Sequence, residues 1–152
     1  MSARFRARRH LVNQVVARAA NWAAAQPDVH ACVVVGSYAY GRPRMGSDVD
    51  LVILSEASRR HLDDLCFISE ITPQGRLVRS AQWGSLRERR VRLPGGLFVE
   101  FGIATPGWAA IPVDPGTAKV ITDGCRILTD TGLIADALIS LGHAPRRWRP
   151  VT

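Results

Sequence analysis

The chain reads as an α+β domain, a mixed β-sheet with helices packed mainly on one face. Three observations predict it. Apolar residues recur at helical spacing near the start and near the end of the chain. Several short β-branched or apolar runs lie between them. Breaks containing Gly or Pro separate those runs.

From Arg8 to Ala25, the residues Leu11, Val12, Val15, Val16, Ala19 and Trp22 make one apolar stripe, and Gln26-Pro27-Asp28 ends the helix. Val29 to Val35 is β-branched and reads as a strand closed by Gly36-Ser37. Ser37 to Gly46 reads as a turn, or one short helical turn, followed by a loop. Asp48 to Leu54 is the next strand. Ser58 to Ile71 reads as a helix capped by Ser58, with Leu62, Leu65, Cys66 and Ile68 on one face. After the break at Pro73-Gln74-Gly75 come strands at Arg76 to Gln82 and Leu86 to Leu93. A Pro94-Gly95-Gly96 turn leads into a returning strand from Leu97 to Ile103. The run Arg87 to Arg92 does not alternate cleanly, which predicts an edge or solvent-facing strand. Asp123-Gly124 signals a tight turn, hence a hairpin over Ala118 to Thr129. Thr131 to Leu141 is the last helix. Residues 1–144 thus form a single domain opening on an Arg-rich amphipathic helix, and residues 145–152 a basic, flexible tail.

A chain of 152 residues buries one core without staples. Its 47% apolar and 22% charged residues exclude a disordered chain. The apolar run Ala31 to Val35 is too short to span a bilayer, so no membrane partner is expected. Cys32, Cys66 and Cys125 form no zinc or disulfide pattern, which points to a reducing, cytoplasmic location. An Arg-rich, acid-poor start also fits a transit peptide, but the apolar stripe favours a packed helix. The net charge of +7 is carried almost wholly by arginine, Lys119 being the only lysine. Arg4, Arg6, Arg8, Arg9 and Arg18 cluster, as do Arg87 to Arg92 and Arg146, Arg147 and Arg149. Such clusters attract polyanions, or simply form solvated faces.

The chemistry lies between Gly36 and Leu54. Asp48 and Asp50 are one residue apart on a strand, so they project from the same face. Two like charges held close need compensation, and hard divalent ions with oxygen ligands are the usual kind. Two such ions clamp the attacking and leaving oxygens of a phosphoryl displacement. The alternative is a capping or loop Asp-x-Asp. Upstream, Gly36 lets backbone approach a ligand, and Ser37 opens a turn whose amides and hydroxyl can donate to phosphate. Arg42 and Arg44, in the loop before Ser47, either neutralise phosphate or face solvent. Glu100 is a lone acid within an apolar strand; it either joins the metal site or pairs with a neighbouring Arg.

The order hydrophobic strand, Gly36-Ser37, a spacer of about ten residues, then Asp48-Val49-Asp50 resembles the signature of the nucleotidyltransferase superfamily related to DNA polymerase β. The spacer, with Ala39, Gly41 and Ser47, looks most like its small prokaryotic branch, the minimal nucleotidyltransferases and aminoglycoside adenylyltransferases. The resemblance implies a nucleotidyltransferase-like fold and a reaction. A nucleoside monophosphate, AMP from ATP, passes from a nucleoside triphosphate to an acceptor hydroxyl. Asp48, Asp50 and Glu100 would be catalytic and hold two Mg²⁺ ions, or Mn²⁺. Gly36, Ser37, Ser47, Arg42 and Arg44 would bind the nucleotide. Family members commonly have Asp where this chain has Glu100. Aminoglycoside-modifying relatives carry an extra helical region; here one helix and a basic tail follow the sheet. The acceptor is therefore expected to be a partner protein, as in toxin–antitoxin pairs with a helical partner, or a small molecule bound with help from a homodimer. Non-catalytic nucleotide or RNA binding is the alternative, and nucleic-acid end extension a third reading. His10, His30, His61 and His143 show no ligand spacing and read as surface or helix-end residues. Trp108 is the candidate pocket wall.

Overall fold

A computed structural model describes residues 2–152. Its helix α1 (Ala3–Ala25) starts earlier than the apolar stripe requires, because the Ser2 hydroxyl accepts the Phe5 N–H at 3.2 Å and caps it. Strand β1 (Val29–Val35) follows, then the single helical turn α2 (Ser37–Tyr40) and β2 (Val49–Ser55). Helices α3 (Ser58–Asp64) and α4 (Cys66–Ile71) lead to β3 (Arg76–Trp83), β4 (Leu86–Arg92) and β5 (Phe98–Ala104). A 3₁₀ turn (Pro106–Ala109), α5 (Pro115–Asp123), β6 (Cys125–Asp130) and α6 (Leu133–Ser140) complete the chain.

The six strands form one mixed sheet in the order β3-β4-β5-β2-β1-β6. Only β2 and β5 run parallel. Alternation along the central strands gives the sheet two apolar faces. Cys32, Val34, Leu51, Ile53 and Phe101 pack with the α1 stripe and with Phe67 and Ile71 of α4. On the other face, Val33, Val52 and Leu54 pack with Trp108, Ile121, Ile134 and Leu138. There α5 and α6 lie over β1 and β6.

Several expectations are corrected. The hairpin expected over Ala118 to Thr129 is instead α5 followed by β6. Asp114 accepts the Gly116 and Thr117 N–H groups at 2.9 and 3.4 Å, and Pro115 occupies the first helical turn. Asp123-Gly124 closes that helix, and the strand after it pairs with β1. The helix expected over Ser58 to Ile71 breaks at Leu65, whose φ of 55° is left-handed, and Ser58 does not cap it. The Arg-rich strand β4 is internal; β3 is the edge, exposed on both faces. Trp108 is core, 8% exposed, not a pocket wall. Residues 145–152 are docked: Trp148 N–H donates to Ile127 O at 3.1 Å, and Val151 exchanges two hydrogen bonds with the Asn13 amide at 2.8 and 2.9 Å.

His61 is also not a surface residue. It is 4% exposed and packs edge-on to Trp22, with ring centroids 5.1 Å apart. Its Nε2 donates to Asp28 Oδ2 at 2.7 Å, Ser55 Oγ donates to the same oxygen at 2.5 Å, and Arg60 reaches Oδ1 at 3.0 Å. This network ties the start of β1 to the end of β2 and to α3. Burial works against the Asp28 charge. The hydrogen bonds from Ser55, His61 and its own backbone, with the His61 charge, outweigh burial and hold its pKa at about 2. A carboxylate with a lowered folded pKa contributes stability that is present above its unfolded value and lost as pH falls through the folded one. Between about pH 4 and pH 2 the fold is therefore expected to lose roughly 1–2 kcal/mol on this account. Urea titrations across that range should show the loss in the wild type and a shallower one in Asp28→Asn.

Candidate active site

The site is one rung of the sheet. Asp50 on β2 stands opposite Glu100 on β5, Glu100 opposite Arg90 on β4, and Arg90 opposite Arg79 on β3. Their neighbours along the strands, Val49, Leu51, Val99 and Phe101, point to the other face and are at most 1% exposed. Burial of those four fixes the register, and a slip by one residue would turn the carboxylates into the core. Asp48 lies just before β2 and faces the same side as Asp50. The expected trio Asp48, Asp50 and Glu100 is thus brought to one place.

Its charges are distributed unequally. Arg90 reaches Asp48 Oδ2 and Glu100 Oε1, each at 3.3 Å, and its guanidinium stacks 4.2 Å from the Phe98 ring centroid. Arg79 bonds Glu88 and reaches Glu100 Oε1 at 3.4 Å. The pairing of Glu100 with neighbouring arginines, one of its two expected alternatives, is therefore present. Asp50 has no such partner. Its Oδ1 is buried without a hydrogen bond. Burial, a hydrogen bond shared with Glu100, and the charges of Glu100, Asp48 and Glu88 all raise its pKa well above the carboxylate range. Asp50 is the electrostatically unsatisfied member of the row.

The Gly-Ser turn sits directly against it. Gly36 has φ 73° and ψ −160°, and a Cβ there would lie 2.1 Å from Asp50 Oδ2. Gly36 O accepts the Ala39 and Tyr40 N–H groups at 2.9 and 3.1 Å, which forms α2. Ser47 shapes the loop: its Oγ accepts the Arg44 N–H at 2.7 Å, and its own N–H donates to Arg44 O at 3.0 Å. Arg44 is exposed in that loop. Arg42 lines a separate cleft of about 520 Å³ with Tyr40, Asp123, Arg126 and His143.

Arg79 and Arg90 were missed as site residues. Arg90 shows why. It sits in the run Arg87 to Arg92, where four arginines look alike in sequence. Only the antiparallel register separates Arg90, opposite Glu100, from Arg89, opposite Phe101.

Among the described residues, no three His, Cys, Asp or Glu side chains are grouped so as to hold a metal ion as they stand. The chemistry of the row nevertheless suits a cation. Asp50 keeps one buried oxygen without a partner beside Glu100 and Asp48, although Arg90 already bridges those two acids.

The mixed sheet thus places a Gly-Ser turn after one central strand and carboxylates on the next two. Residues 21–89 match the family model of the nucleotidyltransferase domain. That stretch is similar to a nucleotidyltransferase domain. The matched stretch contains the Gly36-Ser37 turn and both aspartates and ends within β4, before Arg90 and Glu100. No curated protein matches the chain. No helix among the described residues is long and apolar enough to cross a membrane.

Proposed function

We propose that this protein is a transferase that moves AMP from ATP to an acceptor hydroxyl, with Asp48, Asp50 and Glu100 holding divalent cations, two Mg²⁺ or Mn²⁺ in its place. The observation that carries the reading is Asp50: a half-buried carboxylate with one buried, orphaned oxygen, packed on the glycine of the Gly-Ser turn and flanked by two more acids. In the reaction a bond forms between the acceptor oxygen and the α-phosphorus. The bond from that phosphorus to the bridging oxygen breaks, and pyrophosphate leaves. Bound cations would lower the cost of the charge on the transferring phosphoryl group and on pyrophosphate. The chain's own part is orientation. Gly36 and the turn it opens admit the triphosphate close to backbone, Ser37 donates its hydroxyl, and Glu100 takes the acceptor proton.

The test is incubation with α-labelled ATP, Mg²⁺ and cell extract, asking whether any molecule takes up label, together with calorimetric titration of ATP. Metal-dependent ATP binding that Asp48→Ala removes supports the reading. No metal-dependent triphosphate binding in the wild type sinks it.

Arg90 supplies a second measurement. Its guanidinium occupies the position of counter-charge between Asp48 and Glu100. Arg90→Ala leaves Asp48 without its ion pair and Glu100 with only the 3.4 Å contact to Arg79, and it is expected to lower the Tm by roughly 2–6 °C at neutral pH in EDTA. Millimolar Mg²⁺ should restore more stability to the variant than it adds to the wild type, because the cation and Arg90 satisfy the same oxygens. Differential scanning fluorimetry with and without Mg²⁺ checks both effects.

A further inference from the structure

We propose that the outer edge of β3 is a docking site for an extended, acidic segment of a partner protein, which adds a seventh strand to the sheet. Such docking is independent of the transfer chemistry proposed above. β3 is eight residues long and ends the sheet, so one side of its backbone has no strand partner. All its side chains except Ala81 are exposed.

Three observations argue for an occupant. The first is charge. From Arg76 to Arg92 the β3–β4 hairpin holds six arginines and one acid, Glu88. Arg79 and Arg90 stand opposite each other, and Glu88, Glu100 and Asp48 compensate them within the fold. Arg76 and Arg92 also stand opposite each other, both exposed, and neither forms an ion pair among the described residues. Like charges directly opposite on paired strands destabilise the pair. A carboxylate on a strand beside Arg76 relieves that repulsion. The second is apolar surface. Leu77, Val78 and Trp83 are three of the six large apolar or aromatic side chains exposed among the described residues, and all three lie on this strand. Trp83 is 62% exposed although its Nε1 donates to Glu88 Oε2 at 2.7 Å, so the ring is held in place while most of it stays in solvent. The third is backbone. The free N–H and C=O groups of an edge strand pair with an added strand, and side chains then choose the partner.

Charge selects the occupant. A second copy of this chain would set six arginines against six, and charged residues at an edge guard against such self-pairing. An acidic strand is rewarded instead, through a complementarity that also speeds encounter. Nucleic acid can meet the arginines but cannot extend the backbone ladder. Acids that alternate with β-branched residues fit best, because a strand presents successive side chains to opposite faces. One face then brings acid to Arg76 and Arg92. The other brings an apolar residue to Leu77, which stands opposite Val91.

The test is fluorescence anisotropy with a labelled peptide of alternating Glu and Val, as long as β3. The expected result is binding that weakens as salt rises. Arg76→Gln/Arg92→Gln should weaken it about tenfold, and Trp83→Ala about fivefold. Arg146→Gln/Arg149→Gln removes the same charge from residues 145–152 and should leave binding nearly unchanged. Methylating alternate backbone amides of the peptide separates strand addition from charge attraction alone. On one set of alternate residues it removes the donors that face β3 and should abolish binding. On the other set it should leave binding intact. Equal effects of the two sets, equal weakening by Arg146→Gln/Arg149→Gln, or no binding to a folded wild type would overturn the inference. So would displacement of the peptide by an RNA of equal charge, which would assign the arginines to nucleic acid. A wild-type dimer in sedimentation that Trp83→Ala separates would also overturn it, by putting a second copy on this edge.

Discussion

Asp50→Asn is expected to lower nucleotidyl transfer by about 10³-fold or more, and to raise the Tm in metal-free buffer. The two effects come from one cause. Asp50 is half-buried beside Glu100 and Asp48, and its folded pKa is raised by desolvation and by those charges. A carboxylate with a raised folded pKa costs stability as pH rises above its unfolded value near 4, and the cost grows until pH passes the folded value. At pH 7 the unfolded chain ionises this group freely, whereas the folded chain must protonate it or tolerate the charge. Asparagine keeps the shape, donates a hydrogen bond toward Glu100 and carries no charge. The stability it returns should appear as about 2–4 °C for each kcal/mol at this chain length. The rise should shrink as pH falls through about 4, below which the wild-type carboxyl is protonated in both states. Activity should not recover at any pH, because an amide is a poor ligand for a hard cation in place of a carboxylate. Thermal unfolding and label transfer measured on one preparation check the pair. A fall in Tm with intact activity would mean that Asp50 is a structural acid.

This opposition between stability and activity accounts for which parts of the fold are legible in sequence. The apolar stripe of α1 and the β-branched runs of β1 and β2 follow from burial, and burial leaves a period. Asp50 and Glu100 interrupt apolar strands, with Asp48 just before one of them, and an acid such as Asp50 that costs stability where it stands is sought at a functional site. The misread elements are those decided by partners remote in sequence. Asp123-Gly124 has the composition of a hairpin turn, yet Asp114-Pro115 starts a helix before it, and β6 finds its partner in β1 instead of in its neighbour. Leu65 gives no local sign of its left-handed φ; the break lets α4 set Phe67 against Trp22 and Phe101. His61 has no ligand spacing because its partner is one carboxylate across a strand connection. Residues 145–152 are polar enough to read as loose, and their anchors are an Asn on α1 and backbone of β6. Arg90 is legible only through register, as the residue opposite Glu100.

Gly36→Ala is expected to be the most damaging substitution in the Gly36-Ser37 turn, with a loss of transfer approaching that of Asp50→Asn but with the opposite effect on stability. Two costs add. The backbone at φ 73° and ψ −160° belongs to a region that is nearly glycine's alone, so alanine costs about 1–3 kcal/mol there. The added Cβ also lies 2.1 Å from Asp50 Oδ2, well inside contact distance. Relief requires β1 and β2 to part at this rung or the Asp50 carboxylate to rotate. The strands are held there by the pairing of Val35 with Asp50 and, on the far side, of Val35 with Cys125, so the carboxylate is the softer element. A rotation that removes Oδ2 from Gly36 also removes it from its place beside Glu100 and Asp48. The variant should therefore unfold at a Tm lower by roughly 5–10 °C, and lose metal-dependent ATP binding even where it remains folded. Gly41→Ala is the matched control. It too has a positive φ, 77°, but a Cβ there meets nothing within 4 Å. It should lose stability through backbone strain and keep its affinity for ATP. Equal loss of ATP binding in both variants would place the importance of Gly36 in the conformation of the turn, not in its approach to Asp50.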